Sequence, residues 1–320
     1  MSKIKRNFII ASVVLVLLIA LFLFYNMGNN WQFALRLRSY KLAAILIVSA
    51  AVAYSSVSFQ TLTNNRILTP SIMGFESVYL LIQTIIVFVY SDNTFKVLSG
   101  LGNFALSVAG MIGFAMLLYL LIYKRGKDNL YLLLLVGIIL GTLFNSLSSF
   151  MQLLIDPNDY FIVQGKMFAT FNKVNRDLLW PSAIVLVVVL FFGFRSARYL
   201  DVLALGREHA INLGIDYNRK VQFFLILIAI LASVSTALVG PVTFLGLLVA
   251  NLTYEMFKTY KHSITLSAAC IVAAITLVGG QFVMERMLGL SIPVSAIINL
   301  AGGRSCSIRR TRRSSPSSRS

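Results

Sequence analysis

The sequence has few charged residues, and this shortage decides its structural class. Asp, Glu, Lys and Arg make up 12% of the 320 residues, whereas 58% are hydrophobic. A soluble chain of this length would need more charges to cover its surface. Several uncharged runs are also long enough to cross a hydrocarbon core of ~30 Å. The sequence therefore predicts an all-α polytopic membrane protein.

Cysteine and histidine are also scarce, which argues against a metal centre. Cys270 and Cys306 lack the spacing of a metal or disulfide pair. His209 and His262 are far apart, and each flanks a predicted helix. We expect structural or incidental roles for both histidines and no bound metal or other cofactor.

The formal net charge is +17. In a soluble protein this would suggest nucleic acid, but in a membrane protein it is typical of basic cytoplasmic loops, so no nucleic-acid partner is expected.

The first apolar run follows three bases and lacks a cleavage site, which favours a retained helix over a signal peptide. Nine spans are predicted, with ends good to several residues: 8–25, 42–60, 72–90, 99–123, 130–153, 179–195, 220–239, 241–257 and 264–284.

The distribution of Lys and Arg predicts the orientation. With the amino terminus inside, 14 bases fall in inner loops and 8 in outer ones, which favours a cytoplasmic amino terminus. Arg36, Arg38 and Lys41 precede the second predicted span and run against this bias. Bases on the outer side suggest an acidic partner there.

A polar stretch, LDVLALGREHAINLGIDYNRK, separates the sixth and seventh spans. Asp201 is predicted to cap a short helix over 202–205 that Gly206 ends. A second short helix is predicted from Arg207 to Leu213, before Gly214. Two short amphipathic helices favour a docking surface. The alternative is a loop that packs on its own bundle.

Three ordered blocks resemble one family. LGREHAINLG resembles the E-A-A-x-x-x-G coupling motif of ABC importer permeases, with His209 in place of the middle Ala. SFQTLTNNRILTPSIMG and GPVTFLGLLVANL resemble two further signatures of the iron-siderophore and cobalamin permeases, which are type II importers with ten helices. The signature residues matched are Gln60, Asn65, Pro70, Gly74, Gly240, Pro241, Phe244 and Gly246. The resemblance covers residues 8–303.

This chain departs from the family pattern at a few positions. Arg66 replaces a proline, Thr243 a glycine, and Ala250-Asn251 a Pro-His pair. With these changes the sequence resembles one subgroup of the family, the ferric catecholate-siderophore permeases that pair with a second, different permease.

The resemblance implies a permease subunit that imports iron(III)–siderophore complexes across the bacterial cytoplasmic membrane. Cobalamin or haem is the alternative cargo. An ion-coupled secondary transporter is disfavoured, because Glu76 and Glu255 lie towards the inner ends and leave no acid in mid-membrane. The implied partners are a second, homologous permease, an extracytoplasmic substrate-binding protein, membrane lipid and an ABC ATPase dimer. No Walker motif occurs, so ATP and Mg would bind the ATPase, and this chain would not be an enzyme.

The family also implies roles for particular residues. Gly206, Arg207, Glu208, Ala210 and Gly214 would couple the chain to the ATPase, within coupling helices at about 199–216. Arg38, Lys41 and Arg286 would receive glutamates of the binding protein. The alternative for these bases is snorkelling to lipid phosphates.

The fifth span carries a polar stripe and a glycine pair. Helical spacing puts the polar residues on one face of the helix. Such a face either lines the translocation path, which the resemblance favours, or joins helices. The residues are Thr142, Asn145, Ser146, Ser149 and Gln152. Gly137 and Gly141 predict close helix packing. Residues 156–177 resemble the short outer helix at the channel mouth, with aromatics for a ligand or an interfacial belt.

The last 17 residues break the family pattern. The permease domain is assigned to 1–303, and a run starting at Pro293 stops after nine residues, too short to span. Residues 304–320 contain six Arg and seven Ser, which no helix can insert into hydrocarbon. We predict a shifted reading frame, hence a defective allele or a faulty translation. The alternative is a functional basic tail.

Overall fold

A computed structural model describes residues 3–25, 30–90, 100–122, 130–172 and 174–286. Within these residues there are twelve α-helices and no strand, which confirms the predicted helical bundle. The helices are α1 Lys3–Phe24, α2 Trp31–Leu62, α3 Phe75–Tyr90, α4 Leu101–Ile122, α5 Leu130–Leu154, α6 Pro157–Lys166, α7 Arg176–Arg195, α8 Ala197–Leu203, α9 Arg207–Asn212, α10 Tyr217–Val239, α11 Leu245–Met256 and α12 His262–Arg286. The run that starts at Pro293 and the segment 304–320 lie outside the described residues.

Seven of these helices are long and apolar enough to cross a membrane, and α3 is a shorter apolar helix of 16 residues. The long ones are α1, α2, α4, α5, α7, α10 and α12. Helix α11 has 12 residues, so at 1.5 Å per residue it covers only ~18 Å. The prediction of a full span over 241–257 was therefore wrong in its first part, where the chain is not helical.

Two other predicted boundaries were also wrong. Helix α2 starts eleven residues before 42, so Arg38 and Lys41 lie inside it. The charges of Arg38 and Lys41, which set the start of the predicted span, do not interrupt the helix, because both side chains bind groups on neighbouring segments. The span predicted from residue 72 instead begins at Phe75, after a 3₁₀ turn, Pro70–Met73, and Gly74 with φ of +91°.

The core of the bundle is built around α2. This helix packs against α12, α10 and α11, and its carboxyl-terminal half is almost wholly buried. Tyr54 and Phe59 are among the largest fully buried side chains. Many of the neighbouring positions are Ala or Ser, and such small residues let helix backbones approach closely.

The bundle has two distinct ends, which we name by the short helices they carry. At the α9 end, the carboxyl terminus of α2 meets the amino terminus of α12, through Thr61 and His262. At the α6 end, the amino-terminal part of α2 meets the carboxyl terminus of α12, through Lys41 and Glu285. Helices α2 and α12 therefore run antiparallel, side by side, through the bundle.

Candidate coupling element and translocation path

Two short helices, α8 and α9, form the polar connection between α7 and α10. Gly206 separates them with φ of +96°, and Gly214 follows α9 with φ of +77°. These are left-handed conformations that glycine adopts without a Cβ clash. The prediction of two short helices with glycines at these positions is confirmed, but the first helix runs from Ala197 to Leu203 and not over 202–205.

The two helices differ in burial. Ala197, Leu200 and Leu203 of α8 are buried against the bundle, whereas only Ala210 of α9 is buried. Arg207 and Glu208 are exposed. Thus α8 is the root of the element, and α9 presents its surface to the surroundings.

The sequence predicts that Asp201 caps a short helix, but in the structure Asp201 lies inside α8. Its Oδ1 accepts hydrogen bonds from the backbone N–H of His262, at 2.6 Å, and from the His262 ring Nδ1, at 2.7 Å. The His262 Nε2 lies 2.9 Å from the hydroxyl of Thr61. Of the structural and incidental roles expected for His262, the structure shows the structural one, because this side chain joins three elements.

The second and third signature blocks meet in space although about 170 residues separate them in the sequence. Gly246 packs against the side chain of Ser56 on α2, where a Cβ would clash, and faces Thr69 beside Pro70. Ser55, Ser235 and other small polar residues enclose a cavity of about 30 Å³ next to this contact. This close packing explains the small residues of both blocks.

The other signature residues have different environments. Gly240, with φ of +95°, approaches the backbone of Phe168, and Pro241 is buried. Asn65 closes a turn by accepting from the N–H of Ile67. Gln60 is buried, and its amide has no hydrogen-bond partner within the described residues. Phe244 is 42% exposed.

Glu76 contacts the third signature block. It sits in the first turn of α3, and its Oε2 accepts a hydrogen bond of 2.7 Å from the Thr243 hydroxyl. It also lines the small cavity with residues of α2 and α10. Glu76 therefore lies at the first turn of its helix, and this turn is packed against other helices of the bundle. The non-glycine residue at position 243 supplies its donor.

The glycine pair on α5 packs against the 3₁₀ turn. A Cβ on Gly74 would lie 2.9 Å from Gly141 Cα and 3.1 Å from Gly137 O. Close packing was predicted for this pair, and the structure shows that the surface it meets is a backbone turn. The second signature block thus holds α5 in place.

The polar stripe on α5 divides into two parts. Thr142, Asn145, Ser146 and Ser149 are exposed on the surface of the chain. Gln152 instead turns inward, and its Nε2 donates to the hydroxyls of Thr84 and Ser148, at 3.2 and 3.0 Å. The stripe was expected either to line the translocation path or to join helices, and the contacts of Gln152 fit the second role.

The three bases at the α6 end all make contacts within the chain. Lys41 Nζ is 2.9 Å from Glu285 Oε1 and 2.8 Å from Asn172 Oδ1, with only 16% of its side chain exposed. This internal ion pair leaves little of Lys41 for docking, so its predicted docking role is not favoured. Sequence reasoning missed Glu285 and Asn172, although an acid beside Arg286 at a helix end was a usable signal.

Arg38 and Arg286 lie close to the end of α1. Arg38 donates to the carbonyl oxygens of Leu23 and Tyr25, both at 2.8 Å. Arg286 donates to the Tyr25 carbonyl at 3.1 Å and is exposed. Cations at a helix carboxyl terminus satisfy its free carbonyl groups. These contacts give both arginines a structural role, and docking stays a prediction for them.

The predicted short helix after the fifth span is present as α6. Asp156 caps it by accepting from the N–H of Asn158. Phe161 and Phe168 are exposed, whereas Phe171 is buried. A cavity of about 550 Å³ lies between α6 and helices α3, α4 and α10.

Comparisons with known proteins agree with this arrangement. The sequence model described as the FecCD transport family matches residues 8–304. The chain is 52% identical over 288 residues to the petrobactin import system permease protein YclO of Bacillus subtilis (strain 168), covering 90% of this chain and 91% of that protein. It is 37% identical over 263 residues to the petrobactin import system permease protein FatC of Bacillus anthracis, covering 82% and 74%.

Two more proteins complete the comparison. The petrobactin import system permease protein FatD of Bacillus anthracis is 26% identical over 317 residues, covering 93% of this chain and 88% of that protein. A solved structure of a metal-chelate type ABC transporter in an inward-facing conformation superposes with a TM-score of 0.83. It is 20% identical, and the match covers 96% of this chain and 99% of that one. At this identity the match shows the fold alone.

Proposed function

The chain belongs to the FecCD transport family, and we propose that it works as the permease subunit of an ABC importer for iron(III)–siderophore complexes. It is a multi-pass protein of the bacterial inner membrane. The observation that carries this function is the 52% identity to a siderophore permease over nine-tenths of the chain. ATP binding and hydrolysis belong to a separate ATPase subunit.

The siderophore is petrobactin or a close chemical relative. Two relatives at 52% and 37% identity are petrobactin permeases, whereas a relative named for iron(3+)-hydroxamate import is 26% identical. The test is uptake of radioactive iron by cells whose own siderophore permeases are deleted and which express the complete importer. We expect uptake from iron-loaded petrobactin and little from an iron-loaded hydroxamate. Equal uptake of both, or a preference for the hydroxamate, would contradict this assignment.

The amino terminus and the α9 end face the cytoplasm, where α8 and α9 seat in the ATPase subunit. The base count favours this orientation, and the exposure of Arg207 and Glu208 suits a contact surface. Buried α8 gives the exposed α9 a firm base. A compact helix pair transmits a displacement better than an irregular loop does.

Charge reversal tests this seat. Glu208→Lys should abolish uptake while the chain still inserts and folds, whereas Glu255→Lys is the matched control at the same end of the bundle. ATPase activity and iron uptake are measured in membranes that contain all subunits. Unchanged uptake with Glu208→Lys would refute the coupling role.

The translocation path runs along α5, between this chain and a second, homologous permease. Thr142, Asn145, Ser146 and Ser149 form an exposed polar face on a membrane span. Such a face is stable against water or another polar surface and costly against lipid tails. Two of the relatives, FatC and FatD, are both petrobactin permeases of one organism, which supports a pair of different chains.

Thiol labelling tests the path. Ser149→Cys in the assembled importer should react with a small membrane-impermeant thiol reagent. Leu147→Cys is the control, because that exposed residue points away from the stripe. Equal reactivity at both positions would count against a path along this face.

A binding protein docks at the α6 end, which faces outward in this orientation. Arg286 is exposed there, and Arg38 lies nearby on the same carbonyl groups of α1. Exposed pairs contribute only ~0.2–1 kcal/mol each. We therefore assign these arginines to orientation and association rate more than to affinity.

A further inference from the structure

We infer that Asp201, His262 and Thr61 form the joint through which a movement of α8 and α9 reaches α2 and α12. Asp201 is then a positioning residue for ATP-driven transport, and it acts without touching the siderophore or ATP. The inference rests on the proposed seat of α8 and α9 in the ATPase. It assigns the transmission step within this chain to specific side chains.

The joint consists of short, directional contacts between three elements. Asp201 on α8 accepts both the backbone N–H of His262, at 2.6 Å, and its ring Nδ1, at 2.7 Å. Thr61 in the last turn of α2 lies 2.9 Å from the other ring nitrogen. Because hydrogen bonds constrain angle as well as distance, this set fixes how α8 is oriented on both helices.

The site on α12 suits a carboxylate. His262 is the first residue of α12, where backbone N–H groups lack partners inside the helix and the helix dipole favours negative charge. Asp201 therefore caps a helix that begins 61 residues later in the chain. A carboxylate from another element in this position ties the two elements together.

Apolar packing alone would hold α8 less specifically. The seven-residue helix buries Ala197, Leu200 and Leu203, and such contacts are non-directional. On another side, Lys220 of α10 lies 3.6 Å from the ring centre of Tyr199, which ties α8 to α10. Of these attachments, only the Asp201 joint reaches the α2–α12 pair with directional bonds.

The consequence of this geometry is mechanical. A displacement of α9 passes through Gly206 into α8, and from Asp201 into α12 and α2 together. Those two helices extend to the α6 end, where Lys41 and Glu285 join them again. Movement at the cytoplasmic side is thereby delivered to the outward side by a helix pair that is fastened at both ends.

The test is Asp201→Asn, which keeps the size of the side chain and removes its charge. The matched control is Asp216→Asn, because Asp216 lies in the same connection and caps only its own helix, α10, through the N–H of Arg219. The complete importer is placed in proteoliposomes with its binding protein. Iron delivered from iron-loaded petrobactin is measured per ATP hydrolysed.

We expect Asp201→Asn to lower iron transported per ATP by about ten-fold, the scale of a lost charge-assisted hydrogen bond. The ATPase subunit should still copurify, and Asp216→Asn should match the unaltered protein. Thr61→Val removes the contact between His262 and α2, together with the bond from this hydroxyl to the Val57 carbonyl in its own helix, and should give a smaller decrease. It also serves as the test if Asp201→Asn does not fold.

Two results would overturn the inference. One is an unchanged ratio of iron to ATP in both Asp201→Asn and Thr61→Val. The other is a parallel loss of ATPase activity and transport with a lower unfolding temperature, which indicates a structural role only. If Glu208→Lys abolishes coupling but Asp201→Asn does not, the joint is refuted and the seat is retained. If Glu208→Lys has no effect, the seat itself fails.

Discussion

The contact between Gly74 and α5 gives a quantitative prediction. Replacing Gly74 by Ala puts a Cβ on a residue with φ of +91°, which costs ~1–2 kcal/mol for an L-residue in a left-handed conformation. The same Cβ would lie 2.9 Å from Gly141 Cα and 3.1 Å from Gly137 O. Because both neighbours are backbone atoms, the helix itself must shift, and overpacking of this kind costs ~1–3 kcal/mol. The expected total is ~2–5 kcal/mol.

Gly214→Ala is the matched control. Gly214 also has a positive φ, +77°, but a Cβ there would meet no atom within 4 Å. This variant should lose only the ~1–2 kcal/mol of the backbone term. The difference between the two variants therefore isolates the packing of Gly74 against α5.

The assay is thermal unfolding of the detergent-solubilised permease. Exposure of Cys270, which is partly buried on α12, is followed with a thiol-reactive dye in a Cys306→Ser background. One kcal/mol shifts the midpoint by ~2–4 °C in chains of 150–250 residues. This chain has 320 residues, so each kcal/mol shifts its midpoint by less than that, and Gly74→Ala should unfold measurably below Gly214→Ala. Equal midpoints would refute the claim that the turn and α5 are in tight backbone contact.

Three further predictions test other parts of the molecule. Gln152→Leu should lower the unfolding temperature, because it removes interhelical hydrogen bonds, whereas Ser149→Leu should leave that temperature unchanged and reduce uptake; the opposite pattern would reverse the roles given to the two residues. Arg38→Glu combined with Arg286→Glu should weaken docking of the binding protein, more so at low salt because screening is weaker there. Binding is measured at two salt concentrations. If neither the substitutions nor the salt changes it, the two arginines serve only their contacts to α1. Restoring an apolar segment over 293–315 should improve folding and uptake, and the DNA around codon 303 should reveal a shifted frame. If the DNA instead confirms the present reading frame and the protein with its basic tail transports fully, this prediction is contradicted.

Local signals in the sequence predicted the local features well. The glycines around α9 mark its ends because a positive φ is a property of single residues. Helix spans followed from runs of apolar residues, although the run predicted for α2 began eleven residues too late. The family resemblance added the expectation that the polar face of α5 lines a path; four of its five residues are exposed, and the path itself stays a prediction.

Features that depend on distant parts of the chain were not predictable in this way. Asp201 has a good capping signal beside it, yet its actual partner is 61 residues away. Lys41 resembled an exposed docking base, because nothing in its neighbourhood shows Glu285, 244 residues later. Gln152 shares the helical spacing of the stripe, and only the position of α3 decides that it faces inward. Pairing in three dimensions determined each of these outcomes.

The fastening of α2 to α12 at both ends has a consequence for biosynthesis. The partners of Lys41 and Thr61 are made 244 and 201 residues after them. At synthesis rates of ~5–20 residues per second, these groups wait roughly 10–50 s before α12 emerges. During that interval Lys41, at the outward end of α2, has not yet met Glu285, and Thr61 has not yet met His262. We expect the nascent chain to be most vulnerable to membrane proteases in this window, and a chain stopped before residue 262 to be degraded rather than stored.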